Sequence, residues 1–132
     1  MIELKSKTIM IVDDASEMIE ILNAVIRSAG HRCIVARSGR RCVELIPEVL
    51  PDLVLLDIQM PELDGYETCR QIRMLPTGKT VPIIFCTARK TIEDVKEGIK
   101  VGGNDFLTKP FDAKSLLARV DRWLTKAPMR VG

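Results

Sequence analysis

The chain has 132 residues, of which 20 are basic and 18 acidic, with a formal net charge of +2. That length supports one domain with its own hydrophobic core and leaves no room for a second fold. The balanced charge gives no ground to expect nucleic-acid binding, and no apolar run is long enough to span a bilayer. Met1 to Lys5 include an acid and lack an extended apolar core, which argues against a secretion signal. Thr8 to Val12 form an unalternating apolar run that ends in the pair Asp13-Asp14. Ser16 is placed to cap the following helix, whose face is marked by Met18, Ile19, Leu22, Val25 and Ile26 until Gly30 stops it. His31 is expected in a turn as a solvated surface residue. Cys33 to Ala36 read as a short strand, and Ser38-Gly39 open a helix carrying Cys42, Val43, Leu45 and Ile46. Pro47 should end or kink that helix near Ile46.

Leu53 to Leu56 are again apolar without alternation, and Asp57 closes the run. A strand of this kind is buried on both faces, as parallel strands between helices are. Met60 to Gly65 read as a loop, with Asp64 capping a helix to about Leu75 whose inner face holds Tyr66, Cys69 and Ile72. Pro76-Thr77-Gly78 break the chain before a fourth apolar strand, Val81 to Cys86, which ends in Thr87. Thr91 caps a helix with a thin apolar stripe of Ile92, Val95 and Ile99, and Gly98 lies inside it. Asp105 to Thr108 form a fifth strand ending in Lys109-Pro110, and the last helix, Asp112 to about Thr125, carries Leu116, Leu117, Val120, Trp123 and Leu124. Strands alternating with helices in this way predict an α/β fold with a parallel sheet wound on both sides. Cys33, Cys42, Cys69 and Cys86 form no C-x-x-C pair and read as reduced core thiols of a cytoplasmic protein.

In open α/β sheets ligands bind beyond the carboxyl ends of the strands. Those ends bring together Asp13, Asp14, Asp57, Thr87 and Lys109, which lie far apart in sequence. Clustered carboxylates raise one another's pKa unless a counter-charge is present, and oxygen ligands alone suit Mg²⁺ better than zinc.

At this point the chain resembles the receiver domain of two-component response regulators. The resemblance rests on Val12-Asp13-Asp14, Leu55 to Pro61 with Asp64-Gly65, Thr87-Ala88, and Gly103 to Phe111, and covers about Thr8 to Trp123. It implies a doubly wound (βα)5 sandwich of flavodoxin-like strand order 2-1-3-4-5, with a receiver domain over residues 1–126 and a tail or start of a linker at 127–132. It implies Asp57 as the nucleophile that takes a phosphoryl group from a sensor histidine kinase or phosphotransfer protein. By the same resemblance Asp14 and Asp57 ligate Mg²⁺ directly, Asp13 acts mostly through water, and the backbone carbonyl of Gln59 completes the set. Lys109 would pair with Asp57 and then with the phosphoryl group, Thr87 would hydrogen-bond a phosphoryl oxygen, and small Ala88 leaves room for the approach. The Lys109-Pro110 bond is a candidate cis peptide. Thr87 and Phe106 would form the switch, although Phe106 lacks the hydroxyl of the tyrosine found in some members. Gln59 and Arg89 stand where the family tunes the lifetime of the acyl phosphate. The implied output is a downstream protein partner or a homodimer, through the fourth helix, fifth strand and last helix, with no direct nucleic acid or membrane contact.

Each motif also has a bland reading. Asp13-Asp14 could be a helix cap with a solvated acid, Thr87 another cap, and Lys109 a surface lysine. Together at the strand ends they favour the site. Gly78-Lys79-Thr80 echoes a phosphate-binding loop, but Arg73 stands where that motif needs glycine. A flavodoxin-like electron carrier shares the topology, yet two aspartates follow the first strand where an anionic phosphate would want donors. A haloacid-dehalogenase-type phosphatase needs a second acid where Gln59 stands. The switch module is therefore the expected function, either free-standing or as a fragment of a larger regulator or hybrid kinase.

Overall fold

A computed structural model describes residues 6–88 and 90–126. Arg89 and residues 127–132, with the expectations attached to them, lie outside the described residues, as do residues 1–5. The strands are β1 (Thr8–Val12), β2 (Arg32–Ala36), β3 (Leu53–Asp57), β4 (Ile83–Thr87) and β5 (Asp105–Thr108). They alternate with α1 (Ser16–Ser28), α2 (Gly39–Val49), α3 (Gly65–Met74), α4 (Ile92–Lys100) and α5 (Ala113–Lys126), with a single 3-10 turn at Pro76–Gly78 after α3. All strand pairs are parallel, in the order β2-β1-β3-β4-β5.

Successive residues of a strand point to opposite faces, so each apolar run fills two cores. Met10, Val12, Val54, Leu56, Ile83 and Phe85 pack beneath α2, α3 and α4 with Cys42, Ile46, Cys69 and Ile72. Ile9, Ile11, Leu53, Leu55, Ile84 and Cys86 pack beneath α1 and α5 with Leu22, Ile26, Leu116 and Val120. Every residue of β3 and β4 is buried.

Four local expectations are corrected. The N-cap of α1 is Ala15, with no side-chain cap, because Asp13 Oδ1 takes the Ala15 amide (2.9 Å); the Ser16 hydroxyl instead accepts from Arg37 Nη2 at 2.6 Å. α2 runs past Pro47 to Val49. Proline there forfeits a single bond in the last turn, and the Leu50 amide still closes on the Ile46 carbonyl (3.0 Å) from a left-handed cap with φ 52°. His31 is half-buried, and its Nδ1 accepts the Lys7 amide at 3.3 Å. On α4, Ile92 and Ile99 are 72% and 67% exposed; the buried position is Gly98, with Val95 half-buried beside it. At about 100° per residue, Gly98 lies roughly a quarter to a third of a turn around the helix from both isoleucines, and its missing side chain lets α4 approach β5.

The anticipated caps of α3 and α4 are present. Asp64 accepts the Glu67 amide (2.9 Å), and Thr91 shares a reciprocal capping box with Asp94. Cys42, Cys69 and Cys86 are buried and Cys33 half-buried, all as free thiols.

Candidate functional site

Each candidate side chain lies at or just beyond the carboxyl end of a strand. β1 ends at Val12, and the Asp13 amide makes one further sheet bond, to the Ala36 carbonyl at 3.2 Å. Asp13 then turns the chain into α1 through its Oδ1, while its Oδ2 faces Lys109 Nζ at 3.3 Å. Asp57 closes β3, and its Oδ1 lies 3.4 Å from the same Lys109 Nζ. Asp13 and Asp57 are buried, whereas Asp14 is exposed on the rim. One carboxylate oxygen from each of the three lies within 4.8 Å of the others.

The far side of the crevice is built by β4 and β5. Thr87 is buried at the end of β4, and its carbonyl accepts the Lys109 amide at 2.7 Å, which ties the lysine's backbone to the threonine. The following Lys109-Pro110 bond is cis. Gln59 presents its side chain to solvent, and its backbone hydrogen-bonds the Asp57 carboxylate. Phe106 is already inside: its ring packs on Phe85 at a centroid distance of 5.2 Å and against Gly98.

Burial pushes the Asp57 carboxyl above the ordinary range, and the neighbouring Asp13 charge adds to this; Lys109 and the Gln59 backbone only partly offset them. Burial by itself would lower Lys109, but the Asp13 and Asp57 carboxylates together outweigh it and raise its pKa. Lys109 thus pairs with two of the three carboxylates, Asp13 and Asp57. The fit to a hard divalent cation is good on donor chemistry alone: the converging atoms are all carboxylate oxygens, and among the described residues Lys109 pairs with two of the three groups.

Sequence reasoning quoted Gly65 within a motif but missed its role. Its amide donates to the Ile58 carbonyl at 2.8 Å, and a Cβ there would sit 2.4 Å from the Asp57 carbonyl oxygen. A side chain at position 65 would therefore displace the backbone that carries Asp57. Sequence reasoning also missed the contact of Tyr66 with Asp94, which joins α3 to α4 (3.2 Å from the phenol oxygen to Oδ1). Nothing in the spacing of those two residues signals it.

Comparison with known proteins places these features in a family. The model of the response regulator receiver domain matches residues 9–121. Transcriptional regulatory protein YrkP of Bacillus subtilis is 41% identical over 112 residues, covering 85% of this chain and 47% of its own length. Response regulator MprA of Mycolicibacterium vanbaalenii is 40% identical, with 85% and 48% covered. The chain thus spans about half the length of the curated relatives it matches. Among solved structures, a putative response regulator from Chloroflexus aurantiacus superposes with a TM-score of 0.87 at 38% identity, covering 92% of this chain and 99% of its own. The receiver domain of sensor histidine kinase PA1611 from Pseudomonas aeruginosa, which holds a magnesium ion in its active-site cleft, gives 0.85 at 32% identity, with 92% and 99% covered.

Proposed function

The chain belongs to the response regulator receiver family, a phosphoryl-accepting switch of two-component signalling, and from that premise we propose that Asp57 is its phosphoacceptor. The observation that carries the assignment is the burial of Asp57 at the end of β3, between Asp13 and Lys109. Family membership sets aside the electron-carrier alternative.

The proposed reaction follows from the groups present. An Asp57 carboxylate oxygen attacks phosphorus, the bond from phosphorus to the donor's imidazole nitrogen breaks, and its electron pair leaves with the imidazole. Asp14 and Asp57 directly, Asp13 through water and the Gln59 carbonyl would hold Mg²⁺, which would supply positive charge to offset that of the phosphoryl group. Lys109 holds the nucleophile before transfer and takes a phosphoryl oxygen after it. The Thr87 hydroxyl takes another oxygen, with Ala88 leaving space. The domain so defined spans residues 1–126, catalyses its own phosphorylation and slow dephosphorylation, and works in the cytoplasm. Within the described residues no helix is long and apolar enough to cross a membrane.

The phosphoryl donor we propose is a sensor histidine kinase or a phosphotransfer protein. The output surface is the face of α4, β5 and α5, where Ile92 and Ile99 stand exposed, and it serves a protein partner or a second copy. We propose no nucleic-acid contact by this domain itself; DNA binding belongs to the name of a relative, MtrA of Mycolicibacterium paratuberculosis, of which 48% is matched. Incubation with acetyl phosphate and Mg²⁺ should add one phosphoryl group by intact mass spectrometry. Uptake of the same group by Asp57→Ala would refute the assignment.

A further inference from the structure

Helix α4 is held in two different ways at its two ends. Beyond its C-terminal end, the Arg73 guanidinium of α3 donates from Nε and Nη2 to the Gly102 carbonyl (3.0 and 2.7 Å). The same group donates from Nη1 to the carbonyls of Gly78 (2.9 Å) and Val81 (2.7 Å), and from Nη2 to Asn104 Oδ1 (2.9 Å). Asn104 is locked in turn to β4, since its Oδ1 accepts the Ile83 amide and its own amide donates to the Ile83 carbonyl, both at 2.8 Å. Charge-assisted bonds of this number, from a planar fork, fix one end of the helix.

At the other end α3 reaches the first turn through a hydroxyl. The Tyr66 phenol donates to Asp94 Oδ1 at 3.2 Å and lies 3.4 Å from the Asp94 carbonyl, both long for an O–H donor. Asp94 belongs to the capping box of α4, so the phenol acts on the first turn. Burial first, and then Asp94 itself, push the phenol up to about 12, so it remains a donor throughout the neutral range. Between the two ends, α4 touches the core through half-buried Val95 and through Gly98 on Phe106, and the Arg70–Glu97 pair at 3.6 Å is exposed and screened. Phe106 has no hydroxyl of its own; the phenol that reaches α4 comes from α3.

Tyr66 follows Gly65, whose backbone lies directly against the Asp57 carbonyl. We propose that α4 is a lever hinged at its C-terminal end by Arg73 and latched at its first turn by Tyr66, a positioning residue that passes the state of the Asp57 loop to α4. A change at Asp57 that shifts Gly65 moves the phenol away from Asp94. The first turn of α4 then swings while Gly102 and Asn104 stay in place. The inference rests on the Asp57 reading and deepens it.

Hydrogen exchange on the wild-type chain, Tyr66→Phe and Arg73→Lys tests it, each in EDTA and with Mg²⁺ and beryllofluoride. In EDTA, Tyr66→Phe should speed exchange at Val95 to Glu97 by about two- to tenfold, the range of one net hydrogen bond, and leave Ile99 to Val101 and the α1 amides unchanged. Arg73→Lys should loosen Ile99 to Asn104 instead. Beryllofluoride should alter Val95 to Glu97 in the wild type and much less in Tyr66→Phe. An unchanged first turn in Tyr66→Phe, or equal acceleration along all of α4, would overturn the latch. If beryllofluoride moves no amide from Asp57 to Gly65 in any variant, the Asp57 reading fails and takes the coupling with it, while the EDTA comparison still decides the latch.

Discussion

Asp57 is a residue the fold tolerates at a cost. Its carboxyl titrates higher in the folded chain than in the unfolded one, first through burial and then through Asp13. The sign follows: the folded state holds the proton more tightly, so stability is fully present below the unfolded carboxylate range, about pH 4, and falls as pH rises through the folded value. Asp57→Asn removes the buried charge while Lys109 keeps Asp13 as a partner at 3.3 Å. We expect that variant to be more stable than the wild type in EDTA at pH 7, by on the order of 1 kcal/mol, with the gain vanishing near pH 4. Urea denaturation at the two pH values checks it. A loss of stability at pH 7 would mean that Lys109 more than compensates Asp57. Asp105 behaves in the opposite way: burial would raise it, but the Trp123 N–H, the Phe106 amide and Arg119 together hold it below the ordinary range.

The element with the most to say about signalling is α4, because its packing rests on an absent side chain. A Cβ at Gly98 would lie 2.4 Å from Phe106 Cζ and 3.2 Å from Phe85 Cε2. Helix propensity favours alanine over glycine by about 1 kcal/mol, whereas overpacking a core of aromatic rings costs about 1–3 kcal/mol. The steric term wins. Gly98→Ala is therefore expected to destabilise the domain by up to about 2 kcal/mol and to blunt the exchange response from Ala88 to Phe106. A stabilised variant would show that α4 stands free of Phe106. The neighbouring cap shows the same dependence on context: Thr91 is legible in the sequence as a cap, and the folded chain adds Asp94, which completes a capping box, and Tyr66.

For the whole molecule, a ligand that binds only the folded state raises stability by mass action. Mg²⁺ should therefore raise the thermal midpoint in proportion to the logarithm of its concentration above the dissociation constant. Asp14→Ala should weaken Mg²⁺ binding in calorimetry more than Asp13→Ala does, since a direct ligand contributes more than a group acting through water; equal losses would undo that division. The sequence by itself determined the strands, the helices and the acids at the strand ends. Runs such as Leu53 to Leu56 have no polar alternation and fit only a strand covered on both faces, as all five buried residues of β3 are. Asp13, Asp14, Asp57, Thr87 and Lys109 could be picked out because all of them follow apolar runs, and the carboxyl ends of parallel strands lie side by side. Tertiary structure alone decided the rest. It turned Ile92 and Ile99 outward and Gly98 inward, since a glycine carries no hydrophobic signal yet permits the closest approach. It carried α2 through Pro47, where one missing bond in a last turn is outweighed by the burial of Ile46. It also brought Arg73 to Gly102 and Tyr66 to Asp94, contacts of α3 with α4 and the turn after it that arise only once β4 and β5 lie side by side. Local periodicity reports which face of an element is apolar; which groups meet across two elements depends on how the sheet sets them side by side.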